Sequence, residues 1–72
     1  MTNKDLLEQV IRDRGLKKTF LAEKIGLTPA GFYNCLNNKA EFKASQINTL
    51  CELLGIEDLQ TKEAIFFASF GV

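Results

Sequence analysis

The chain contains no histidine, and its two cysteines, Cys35 and Cys51, stand apart rather than in a C-x-x-C pair. Zinc sites and imidazole catalysis therefore have no candidate residues, and two cysteines are too few for a disulfide scaffold. Both are read as small buried hydrophobes. No glycine-rich phosphate loop or paired-carboxylate pocket is visible, so an enzyme is the least expected class, and neither a cofactor nor a small-molecule ligand is expected. No run approaches the roughly 18 apolar residues of a membrane span, and the opening MTNKDLLEQ has neither the basic nor the apolar region of a signal peptide. A cytoplasmic protein without a membrane partner is the expectation. Net charge is missing too, with nine basic residues against nine acidic ones, which speaks against a nucleic-acid partner until the charges are located.

Their distribution is uneven. From Arg14 to Lys43 six basic residues (Arg14, Lys17, Lys18, Lys24, Lys39, Lys43) face two acidic ones, whereas from Ala44 onward one lysine faces four acids. A basic region on a neutral protein can bind phosphate locally, although it steers weakly and tolerates salt poorly.

The 72 residues suit one small domain with a single core. Apolar residues recur at helical spacing throughout, and strand alternation, repeats and linkers are absent. Thr2 is the expected cap of a first helix, with Asp5 completing a weak capping box, Leu6, Leu7, Val10 and Ile11 forming its stripe, and Gly15 ending it. Leu16 then plugs the core. A second helix over about Lys18 to Ile25 buries Leu21 and Ile25. Lys17 stands at its cap without a side-chain oxygen, leaving Thr19 as a substitute or a frayed first turn as the alternatives. Phe20 either covers the core edge or sits half exposed.

Gly26 stops that helix, and Thr28 followed by the single proline, Pro29, starts the next. At about 100° per residue, Phe32, Cys35 and Leu36 share one side, while Ala30, Tyr33, Asn34 and Asn37 project from the other. Asn37 to Ala40 form a polar turn. A fourth helix begins near Lys43 to Ser45, buries Ile47, Leu50, Cys51 and Leu54, and stops at Gly55. Asp58 caps a fifth over about Leu59 to Phe67, with Leu59, Ile65 and Phe66 as its core residues. The fold class is thus all-α with five helices, and Lys17 to Lys39 follow the helix-turn-helix plan.

At this point Leu21-Ala22, Gly26, Leu27, Thr28 and Phe32 resemble the signature of the Cro/C1-type helix-turn-helix family of bacterial and phage repressors. Gly15-Leu16 before the motif, Asn37-Asn38-Lys39 after it and Leu53-Leu54-Gly55-Ile56 are similar as well. The resemblance covers roughly residues 4 to 58 and implies a lambda-repressor-like, DNA-binding domain. The ending Ala64 to Ala68 looks like small phage-encoded members. It further implies that Thr28, Pro29, Ala30, Tyr33 and Asn34 lie nearest the base edges. Lys18, with Asn37, Asn38 and Lys39, would then contact phosphates, and the grouping of Lys17 and Lys43 near helix starts adds two more backbone contacts.

Three departures narrow this picture. Pro29, Ala30 and Gly31 stand where relatives often carry long polar side chains, so the first turn offers close approach and apolar contact. Lys18 replaces a frequent glutamine, and Leu36 a frequent glutamate. Hydrogen-bonded readout falls to Tyr33 and Asn34.

The resemblance implies a repressor that occupies double-stranded operator DNA, with a homodimer as the expected assembly. The apolar tail over residues 66–72 has two readings: Phe67 and Phe70 form the dimer interface, or they fold back over the same core. The rival function is a protein–protein module, such as an antirepressor or antitoxin-like partner, which zero net charge and Pro29-Ala30-Gly31 favour slightly.

Overall fold

A computed structural model describes residues 1–68. Among them the chain forms five helices and no strand: α1 (Lys4–Asp13), α2 (Lys18–Lys24), α3 (Pro29–Leu36), α4 (Ala44–Leu54) and α5 (Leu59–Phe66). The all-α expectation holds. One core joins Leu7 and Ile11 of α1, Leu21 and Ala22 of α2, Phe32 and Leu36 of α3, Leu50 and Leu54 of α4, and Ile65 and Phe66 of α5.

Four of the five helices end with one bond pattern. At the end of α2 the Gly26 N–H donates to the Glu23 carbonyl and the Leu27 N–H to the Ala22 carbonyl at 2.9 Å. This pair closes the last turn only when the intervening residue is left-handed, as Gly26 is at φ 77°. The ends of α1 and α4 repeat the pattern around Gly15 and Gly55, and in each of these three the next residue is apolar and rests on the core: Leu16, Leu27 and Ile56. The end of α3 has the same bonds, Asn38 N–H to Cys35 and Lys39 N–H to Asn34 at 2.9 Å, but without a glycine. Asn38 takes φ 62° instead, and the next residue is an exposed lysine.

Several helix starts differ from expectation. Asn3, not Thr2, caps α1, its Oδ1 accepting from the Leu6 N–H at 3.2 Å. Asparagine caps at least as well as threonine, and Thr2 is drawn into the interior, where it is only 5% exposed. At α2 Thr19 does not serve as the substitute: Lys17 is the cap residue and no side chain bonds there. Packing of the fully buried Leu21 and Ala22 holds this helix instead. Gln46 supports the start of α4, accepting from the Lys43 N–H at 2.8 Å. Asp58 caps α5 through the Thr61 N–H at 2.8 Å, as its position predicts.

The core itself departs from expectation at two positions. Leu59 is 66% exposed. It shares a stripe with Phe66 but lies two turns, about 10 Å, along the axis, beyond the edge of so small a core. The core gains Phe42 instead, a residue between the polar turn and α4. The Phe42 ring is buried and meets Phe32 edge-on at 5.6 Å and Phe66 at 5.9 Å, so one loop residue joins α3 to α5.

Candidate nucleic-acid interface

The helix-turn-helix is built by α2 packing against α3 across Gly26. Ala22 is fully buried there, small enough for the second helix to approach closely. Thr28 sets the start of α3, its Oγ1 accepting from the Gly31 N–H at 3.0 Å, with Pro29 following at the first helical position. A hydroxyl cap and a proline with preset φ together define where the helix begins.

With Phe32, Cys35 and Leu36 facing inward, the opposite side of α3 is solvent-facing. Thr28, Pro29, Ala30, Tyr33 and Asn34 are all exposed, which places the five residues assigned to base edges on one continuous surface. Tyr33 is 54% exposed. The Asn34 carbonyl closes the helix end, whereas its side-chain amide makes no hydrogen bond among the described residues. Burial raises the pKa of both cysteine thiols above the ordinary value, so neither offers a thiolate near neutrality. No group of three or more Cys, Asp or Glu able to hold a metal exists among the described residues.

The turn after α3 is fixed from a distance. The Asn38 side chain grips the backbone of Thr2 on both edges: Thr2 N–H donates to Asn38 Oδ1 at 2.7 Å, and Asn38 Nδ2 donates to the Thr2 carbonyl at 2.9 Å. The same N-terminal segment then bonds α5, with Asn3 N–H donating to the Ile65 carbonyl at 2.7 Å and Ala68 N–H to the Met1 carbonyl at 2.9 Å. Residues 1–3 are therefore a strap between the end of the candidate recognition helix and the end of α5. Asn37 is engaged as well, donating from Nδ2 to the Tyr33 carbonyl at 2.9 Å.

Among the residues assigned to phosphates, Lys17, Lys18, Lys39 and Lys43 are exposed, Asn37 is half-buried and the Asn38 amide is occupied by the strap. Lys18 is paired with Glu8, whose carboxyl is held below its ordinary pKa chiefly by the hydrogen bond from Lys18. Lys17 and Lys18 border a surface hollow of about 380 Å³ with Glu8 and Arg12. Arg14 lies elsewhere: its Nε donates to the Leu54 carbonyl at 2.7 Å, so this cation closes the end of α4 rather than joining the basic region. Phe67 is 56% exposed at the end of α5, while Phe66 is in the core and Phe70 lies outside the described residues.

Two features escaped the sequence reading. Lys4 reaches from α1 to the exposed side of α3, donating to Asn37 Oδ1 at 3.0 Å with its ammonium 5.5 Å from the centre of the Tyr33 ring. No local pattern marks it, because its partners are 29 and 33 residues away. Phe42 did carry a signal, being a lone aromatic between the charged Glu41 and Lys43 in the connection before α4.

A family model for the Cro/C1-type HTH DNA-binding domain matches residues 6–59. That span runs from α1 through α4 to the first residue of α5 and contains the whole α2–turn–α3 unit. Comparisons with curated proteins and with solved structures give no match.

Proposed function

Because the chain belongs to the Cro/C1-type helix-turn-helix DNA-binding domain family, we propose that it is a sequence-specific regulator acting as a repressor by occupying double-stranded operator DNA. The observation that carries this reading is the exposed side of α3, where Thr28, Pro29, Ala30, Tyr33 and Asn34 stand together on a helix whose two ends are both fixed. An exposed helix of this kind fits the major groove, about 12 Å wide. Ala30 and Pro29 permit close approach and contact with a thymine methyl. Asn34 is suited to bidentate pairing with adenine, at about 1 to 3 kcal/mol of discrimination.

Lys17, Lys39, Lys43 and, after release from Glu8, Lys18 supply the phosphate contacts that set register. The amide of Asn38 acts through the turn it holds, and Asn37 through its bonds to neighbouring groups. Two copies joined through Phe67 and the tail would place their α3 helices about 34 Å apart, one turn of DNA. Sedimentation of the chain cut after Ala68 tests this assembly; unchanged self-association removes the tail from it.

The protein–protein alternative draws support from the Lys18–Glu8 pair and from zero net charge, both of which weaken attraction to DNA. A gel-shift with DNA flanking the chain's own gene, at two salt concentrations and beside a random duplex, separates the readings. A regulator retards its flanking DNA more strongly than the random duplex, and absence of a specific shift at low salt sinks the repressor assignment.

A further inference from the structure

Among the described residues the only ion pair joins Lys18 to Glu8, and Arg14 is turned to a carbonyl at the far end of α4. Lys4 is differently placed. It is half-buried, and its ammonium meets Asn37 Oδ1 at 3.0 Å and the Tyr33 ring at 5.5 Å. Both of these partners are neutral and Lys4 forms no ion pair among the described residues, so its charge is oriented while opposed only through space, by the Glu8 carboxylate one turn along α1. The Asn37 amide is itself fixed, since its Nδ2 donates to the Tyr33 carbonyl at 2.9 Å and this turns its oxygen toward Lys4. An ammonium has three donors. One is used by Asn37, leaving two without a hydrogen-bond partner among the described residues.

We propose that Lys4 is a DNA phosphate-binding residue that clamps the strand bordering the groove at the C-terminal end of α3. The inference rests on the reading of α3 as the recognition helix. Phosphates line both edges of a groove about 12 Å wide, and a cation beside Tyr33 stands at one of those edges when Tyr33 faces the bases. The side-chain ordering needed to meet a phosphate has already been imposed by Asn37 and Tyr33 in the free protein. Lys4 thereby supplies, from α1, a charge that the short polar residues of α3 lack.

The test is the salt dependence of binding to two duplexes, the gene-flanking DNA and a random sequence, for the intact chain, Lys4→Gln, Lys4→Arg and Lys62→Gln. Lys62 donates to Asn48 on α4 at 3.0 Å and serves as the equal-charge control. Each lost phosphate contact lowers the slope of log affinity against log salt by about 0.9, and Lys4→Gln loses one contact for each bound copy. Between 50 and 200 mM salt the intact chain should therefore lose about 3- to 4-fold more affinity than Lys4→Gln for each bound copy, or about 12-fold for a two-copy complex, on both duplexes, while Lys4→Arg and Lys62→Gln keep the original slope. A purely structural role for Lys4, bracing Asn37, would weaken binding without moving the slope. An unchanged slope in Lys4→Gln, or an equal fall in Lys62→Gln, overturns the proposal while leaving the regulator reading intact. An intact chain that binds neither duplex at low salt overturns both.

Discussion

The ends of α2 and α3 share a bond pattern and differ in what enforces it. At Gly26 the chain turns because glycine tolerates φ 77° and because Leu27, the next residue, is drawn onto the core. At Asn38 both aids are missing: a side chain must accept φ 62°, and the following Lys39 faces water. The turn is instead held by Thr2, 36 residues away, through two bonds to one amide. A locally closed helix end is self-sufficient. A strapped end leaves its following residue free to face a ligand, at the cost of depending on the far end of the chain.

The largest expected effect comes from the aromatic contact beneath the strapped end. Phe42→Ala should lower stability by about 3 to 5 kcal/mol in chemical denaturation, since the ring bridges Phe32 and Phe66. A loss below about 1 kcal/mol would mean that α3 and α5 do not depend on it.

Asn38→Ala removes two hydrogen bonds, each worth about 1 kcal/mol, and forces alanine into a left-handed conformation costing a further ~1 to 2 kcal/mol. Asn38→Gly isolates the strap, because it restores the conformation without the amide. We expect it to recover about 1 kcal/mol of the alanine loss yet still to increase hydrogen exchange at the Thr2 and Asn3 amides. If Asn38→Gly equals the original chain in both respects, the α3 end is no different from the α2 end.

Thr28→Ala probes the opposite end of α3, where closure is local, and should cost about 1 kcal/mol. Gly31 sharpens this, since a Cβ there would lie 3.3 Å from Thr28 Oγ1. Gly31→Ala should accordingly be near neutral alone, as helix propensity of up to ~1 kcal/mol is offset by crowding of the cap. In the Thr28→Ala background the crowding is gone and the same change should stabilise. Equal effects in both backgrounds, read from a double-mutant cycle, would show that the cap and Gly31 are independent.

Smallest is the effect of Glu8→Gln. Its carboxyl titrates below the ordinary range because Lys18 bonds the charged form, so the pair stabilises the fold above the unfolded pKa and the contribution is lost as pH falls through the folded one. For so exposed a pair the difference at neutral pH should be a few tenths of a kcal/mol, vanishing below the ordinary glutamate range. Released Lys18 should also tighten DNA binding, a gain that a titration at low salt would register or refute.

Much of the scaffold was legible because its signals are local. Gly15, Gly26 and Gly55 mark three ends, Thr28-Pro29 and Asp58 mark two starts, and the helical spacing of Leu7, Ile11, Leu21, Phe32, Leu50 and Leu54 fixes the inward faces. The same spacing places Tyr33 and Asn34 outward. Leu59 misled because periodicity gives a direction around an axis but not where along it the core stops. Thr2 misled because a capping pattern cannot show that the residue is wanted elsewhere.

What the sequence by itself determined is therefore the five-helix plan, the helix-turn-helix within it and the outward set on α3, since hydrophobic period, caps and left-handed stops act over a few residues. What only the tertiary structure decided is which polar groups meet: Asn38 with Thr2, Lys4 with Asn37 and Tyr33, Lys18 with Glu8, Arg14 with the Leu54 carbonyl. These pairs join residues between 10 and 40 positions apart. Their identity depends on where helix ends come to rest in space, and no local propensity encodes that.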